Sequence, residues 1–260
     1  MDISHLLFAG CSFTFCQGLE IEKAWPTLIA KNLNCNIVNL ATPGVGNDNI
    51  YRKVHEYIYI NNKIEGSKPL VILCFSDPWR KEVWSKEHHL TLDFDDYAPV
   101  AYPKDKPSNY HEYAMIENWN EEDFYRKSII YKLNLVNLFE KFNIPYLFTD
   151  AFPQYPDLDA YAKIQTKFSE LKHATETKYY IDNIYDIATK FNNLPCGHYG
   201  EEACYKISEH ILDSIKTLYP NLKFRNDINY LRLSEYIKLD KYHQKFPIWC
   251  SLEEQSDILS

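Results

Sequence analysis

The sequence predicts an α/β protein built on a doubly wound parallel sheet with helices on both faces. Three observations lead there. Four short apolar runs, HLLFA (5–9), NIVNLA (36–41), PLVILCFS (69–76) and IPYLFTD (144–150), have the length and side chains of strands. Four segments with apolar residues at helical spacing, 22–34, 47–62, 126–143 and 201–219, alternate with them. The third run is apolar throughout, as a strand covered on both faces must be. Strands alternating with helices give a parallel sheet between helical layers, here in the flavodoxin-like arrangement.

In chain order, HLLFA opens the sheet and EKAWPTLIAKNLN supplies the first amphipathic helix. NIVNLA is the second strand, and the helix over 47–62 starts with Asn47 or Asp48 as cap. PLVILCFS, the helix over 126–143, IPYLFTD and the strongly periodic helix over 201–219 complete the rhythm. Two segments depart from it. Residues 81–125 hold no clear strand, are rich in aromatic and acidic residues, and are too long for an ordinary loop, so they read as an insertion or lid. Residues 221–260 are a polar, aromatic-dotted extension, packed on the domain or placed at an interface. The expected organisation is one domain over 1–220 with this insertion and this extension.

With 260 residues and 45% apolar content, the chain can bury a full core. A net charge of −8 and the lack of a basic run argue against nucleic-acid binding. No stretch reaches the roughly 18–20 apolar residues of a membrane span, and the N-terminus does not read as a signal peptide. Seven cysteines without a CxxC pair read as reduced buried thiols, which points to the cytoplasm of the producing cell or of an infected host. A homo-oligomer is compatible with the sequence.

Glycine carries the functional signal. The chain has seven glycines, where average usage of about 7% would give roughly 18. Six of the seven fall in three places: Gly10 and Gly18 after the first strand, Gly44 and Gly46 after the second, Gly197 and Gly200 before the last helix. Glycine scarcity elsewhere marks these loops as geometrically demanding. In a doubly wound sheet, loops at the carboxyl ends of strands meet in one crevice. Ser12 would then present a hydroxyl there, the Ser12 and Gly44 N–H groups with the Asn47 amide could hold an oxyanion, and His198 could act as base. Nucleophile, base and oxyanion pocket are the parts of acyl transfer.

At this point the sequence resembles the SGNH/GDSL hydrolase family. Gly10-Cys11-Ser12 is similar to its Gly-Asp-Ser block, with Ser12 the implied nucleophile. Asn39 preceding Gly44 by five residues is similar to its second block and implies an oxyanion role for Gly44. His198 in Pro195-Cys196-Gly197-His198 matches the histidine of its last block. The sequence departs from the family in three places. Cys11 replaces an Asp. Phe75-Ser76-Asp77 stands where the third block has Gly-x-Asn-Asp, so Ser76 replaces an oxyanion Asn. Pro195 stands where the family has the acid of the triad, whose loss can cost on the order of 10⁴ in turnover. Asp150 at the end of the fourth strand is the first candidate substitute, with Asp182 and Asp186 as others; a Ser-His dyad is the fallback.

The resemblance implies an ester hydrolase acting on a small or carbohydrate-linked acyl ester, or transferring the acyl group to another alcohol. Arg80 reads either as one half of an ion pair with Glu82 or as a fork for an anionic or carbonyl-bearing substrate. No cofactor is expected, since GVGN lacks the dinucleotide pattern and no phosphate-binding loop is present. His88, His89, Asp93, Asp95 and Asp96 have no recognised metal-ligand spacing, so no metal is expected. The aromatic insertion, with Trp84, Tyr97, Tyr102, Tyr110 and Trp119, reads as a packed lid, and stacking aromatics also suit a sugar or a nucleoside. The rival class is a binding protein that keeps the crevice and has lost the chemistry, favoured by Pro195 and Ser76.

Overall fold

The structure is a computed structural model, and it describes residues 1–61, 68–78, 80–84, 97–100, 121–152, 166, 169, 177–195 and 197–224. Their elements are β1 (Asp2–Ile3), β2 (His5–Ala9), α1 (Ser12–Phe15), α2 (Trp25–Leu33), β3 (Asn36–Asn39), α3 (Asn47–Asn61), β4 (Pro69–Phe75), β5 (Lys81–Trp84), β6 (Tyr97–Val100), α4 (Glu121–Lys141), β7 (Tyr146–Asp150), α5 (Ile184–Ala188), α6 (Glu201–Leu218) and β8 (Lys223–Phe224).

Four parallel strands form the central sheet in the order β3-β2-β4-β7. Leu7 pairs with Val38 on one side and Val71 on the other, and Leu73 pairs with Phe148. Helices α2 and α6 pack against each other on one face, and α3 against α4 on the other. The doubly wound expectation therefore holds. All seven residues of β4 and all five of β2 are buried, because helices cover both sides. Phe8 meets Trp25 edge-on at 5.4 Å, and Phe75 meets Phe148 at 5.0 Å, which fixes ring orientations in the core. On α6, Ala203, Cys204, Ile207, Ile211, Leu212 and Ile215 form the buried stripe that its periodicity promised.

The edges of the fold differ from the sequence reading. The segment expected to lack strands contains β5 and β6, paired antiparallel with Lys81 opposite Val100 and Trp84 opposite Tyr97. Four-residue runs such as KEVW and YAPV are too short to show alternation, so their pairing is a tertiary event. Helix α4 also begins at Glu121, inside the span assigned to the insertion. Beyond α6 the chain does not leave at once: β8 pairs in parallel with β1, Asp2 opposite Lys223 and Ile3 opposite Phe224. Tyr102, Tyr110, Trp119, the His88–Asp96 cluster and residues 225–260 lie outside the described residues.

Cys11, Cys16, Cys35, Cys74 and Cys204 are free thiols. Burial pushes the thiols of Cys11, Cys16 and Cys74 up, and that of Cys35 to about 11, so they are inert packing groups rather than ready nucleophiles. Among the described residues, no helix is long and apolar enough to cross a membrane.

Candidate functional site

The loops after β2, β3 and β4 and the turn before α6 converge at the carboxyl ends of the strands. Gly10 allows the first approach: a Cβ there would sit 2.1 Å from Thr14 Oγ1 and 2.9 Å from the Cys74 carbonyl oxygen, so only glycine lets α1 start this close to β4. Its carbonyl accepts the Thr42 N–H at 3.0 Å, which ties the first loop to the second. Asn39 shapes that second loop by accepting the Ala41 N–H at 3.0 Å. Gly44 follows with φ +79°, a conformation that favours glycine.

Ser12 is the first residue of α1 and is 4% exposed. It does not cap the helix: Cys11 holds the cap position and makes no side-chain cap bond. The adjacent Phe13 is the hub of the site. Its ring lies 5.1 Å from the His198 imidazole, 4.5 Å from the Tyr199 ring and 5.1 Å, edge-on, from Phe152 beyond β7. Tyr199 in turn donates to the Ala151 carbonyl at 3.0 Å. The His198 turn is closed by two short bonds, Leu194 N–H to His198 O at 2.7 Å and Gly197 N–H to Leu194 O at 2.8 Å, with Gly197 at φ +78°. Ser12 and His198 are thus gathered through Phe13, with no hydrogen bond between Ser12 Oγ and the imidazole. Such bonds often form only with substrate in place.

The remaining sequence candidates divide. Both Asn47 Nδ2 hydrogens are taken, by the Ser76 carbonyl and by Ser128 Oγ, each at 2.9 Å, while Asn47 Oδ1 accepts the Ser76 N–H at 2.8 Å. The amide expected to reach an oxyanion is instead a buried clamp that fixes the end of β4. The Ser76 hydroxyl is buried, with the Cys11 thiol as its neighbour. It stands near enough to the Cys11 thiol to favour its ionised form, as does Arg80, although burial outweighs both. Asp77 accepts the Arg80 N–H at 3.1 Å through its carbonyl, closing the turn that presents Arg80.

Asp150, the first candidate acid, has its carboxylate engaged elsewhere. Oδ1 accepts from Lys132 Nζ at 3.1 Å, and Oδ2 accepts a very short bond from the Tyr180 hydroxyl. Lys132 also lies over the Phe75 ring at 4.6 Å. Asp182 and Asp186 are exposed, and Asp182 contributes its carbonyl to Thr149. His198 Nδ1 is buried.

Sequence reasoning missed Phe13, Phe152, Tyr199 and the two partners of Asp150, Lys132 and Tyr180. An aromatic residue directly after the serine was the one visible signal for the first. The others come from distant segments and had none.

No protein-family model matches the chain, and no curated protein does. Solved structures match it in fold. The chain is similar to the psychrotrophic esterase EstA from Pseudoalteromonas sp., in a structure inhibited by monoethylphosphonate, with TM-score 0.51 and 14% identity over 84% of this chain and 100% of that one. It is similar also to TesA, with TM-score 0.51 and 13% identity over 84% and 99%. At such identity the likeness concerns the fold alone, the α/β arrangement of a parallel sheet between helices that the sequence predicted.

Proposed function

We propose that the chain is a serine ester hydrolase in which Ser12 is the nucleophile and His198 the general base. The observation that supports this best is the position of Phe13: the residue after Ser12 packs against His198, which brings the two segments together at the strand ends. Ser12 Oγ attacks the acyl carbonyl as His198 takes its proton. The N–H groups of Ser12 and Gly44, with the Ser76 hydroxyl, hold the tetrahedral oxyanion. His198 then protonates the leaving alcohol and activates the water that frees Ser12. The substrate is a small or carbohydrate-linked acyl ester, and transfer to another alcohol would use the same groups. That the two structures of like fold include a named esterase agrees with this reading. Five free thiols suit a reducing, cytoplasmic setting.

A second reading, a binding protein with the same crevice, is favoured by Pro195 at the acid position and Ser76 at the oxyanion position. Mapping a fluorophosphonate label by mass spectrometry separates the two. Labelling confined to Ser12, lost in Ser12→Ala and slowed about 100-fold or more in His198→Ala, is the expected result. A folded protein that takes no label supports the binding protein.

A further inference from the structure

We infer that Arg80 is a carboxylate-recognition residue, so that the ester this crevice takes carries a free carboxylate a few bonds from its scissile carbonyl. The inference rests on the hydrolase reading for the word ester, and on Arg80 itself for the carboxylate.

Arg80 is placed as a recognition group rather than as a surface charge. Its backbone is fixed on two sides, by the bond to the Asp77 carbonyl and by Gly46, where a Cβ would meet the Arg80 carbonyl oxygen at 2.1 Å. Its guanidinium lies 4.9 Å from the centre of the Phe152 ring, and Phe152 packs on Phe13, the neighbour of Ser12. The same charge is felt at Cys11, on the other side of Ser12. The cation therefore stands at the reacting end of the crevice.

Among the described residues, no hydrogen bond or ion pair answers that charge. Arg80 Nη1 is buried and has no hydrogen-bond partner, and no carboxylate among the described residues pairs with Arg80. A buried guanidinium N–H left unbonded is costly and uncommon, and a ligand oxygen is its natural complement. The basic group beside it behaves otherwise. Arg80 and Lys127 both line a cavity of about 20 Å³ together with Asn47, Asp48 and Tyr131, but Lys127 is paired with Asp123 at 2.5 Å. That volume admits about one oxygen-sized group, since a single water needs on the order of 10–15 Å³. It suits one arm of a planar carboxylate better than a tetrahedral phosphate. The guanidinium fork then binds the carboxylate in the two-bond geometry that lysine cannot copy.

The test compares para-nitrophenyl hydrogen succinate with para-nitrophenyl butyrate, and acetoxyacetate with ethyl acetate, so that the carboxylate lies on the acyl side in one pair and the alcohol side in the other. Wild type should prefer the anionic ester of at least one pair in kcat/KM, and Arg80→Gln should cut that preference by about 10- to 100-fold, with Arg80→Lys recovering only part. A preference absent in wild type, or equal losses on both members of a pair in Arg80→Gln, overturns the inference; the second result would make Arg80 an oxyanion group. Calorimetric titration of succinate into Ser12→Ala protein, with and without Arg80→Gln, needs no turnover. Arg80-dependent binding, together with a folded wild type that takes no fluorophosphonate label, would sink the hydrolase and leave the carboxylate site standing. No binding, in a protein that does take the label and shows no anionic preference, does the reverse.

Discussion

The ring of Phe13 lies 5.1 Å from the imidazole of His198, so the residue that follows the proposed nucleophile is the one that seats the proposed base. Trp25 Nε1 holds the Phe13 carbonyl at 3.0 Å, which anchors this contact to the core of the domain. The Ser12 loop and the His198 turn, 186 positions apart, thereby meet at one side chain.

Removing that ring should loosen the base without touching either proposed reacting group. Phe13→Ala is expected to slow fluorophosphonate labelling of Ser12 by about 10- to 100-fold, since small misplacements of a catalytic group carry penalties of that size. Phe13→Leu, which refills most of the space, should lie between this variant and wild type. Equal labelling rates in all three would show that His198 is seated by its own turn alone.

The clamp from Asn47 to Ser76 is predicted to matter for stability. Asn47→Ala strips partners from the Ser76 N–H and carbonyl, both buried, at a cost of about 2–4 kcal/mol. Urea unfolding followed by tryptophan fluorescence measures this. A loss under about 0.5 kcal/mol would mean that water replaces the amide and that the loop is more open than the structure shows.

Lys132 and Asp150 have side chains only 15% and 11% exposed, and their pair sits at the crevice end of β7. Lys132→Met should destabilise the fold by about 3 kcal/mol or more, because it leaves a buried carboxylate without its counter-charge. Adding Asp150→Asn removes that charge, so the double variant should recover a substantial part of the loss. A double variant as unstable as the sum of the singles would show that the pair is not coupled.

His5 supplies an acid-sensitive element at the opposite end of the sheet. The Ser4 hydroxyl donates to the Lys68 carbonyl at 3.0 Å, so its contact with His5 Nδ1 at 2.7 Å requires Nδ1 to carry the proton; Nε2 then accepts from the Tyr57 hydroxyl at 2.8 Å. Burial lowers the His5 pKa from 6.5 to about 4. The unfolded chain therefore binds more protons between those values, and the stability contributed by neutral His5 is present above pH 6.5, falls as pH drops, and is lost below about pH 4. The change amounts to about 3 kcal/mol. Chemical denaturation from pH 7 to pH 4 should show His5→Gln with a flatter profile than wild type over this window. Parallel profiles would exclude His5 as the group responsible.

By itself the sequence determined the sheet, its covering helices and the loops that matter. Apolar runs and helical periodicity are local properties, written in neighbouring residues, and glycine scarcity made the functional loops stand out. Glycine placement and the family resemblance together singled out Ser12, Gly44 and His198, whose roles are the proposal made above. Tertiary structure alone decided what each group does with its hydrogen bonds. It turned Asn47 from a prospective oxyanion donor into a clamp, gave the Asp150 carboxylate to Lys132 and Tyr180, and left Arg80 Nη1 buried without a hydrogen-bond partner among the described residues. The short pairs β5–β6 and β1–β8 belong to the same class. A hydrogen bond or a two-residue bridge between distant segments depends on which backbones the folded chain brings within about 3 Å, and no local pattern encodes that distance.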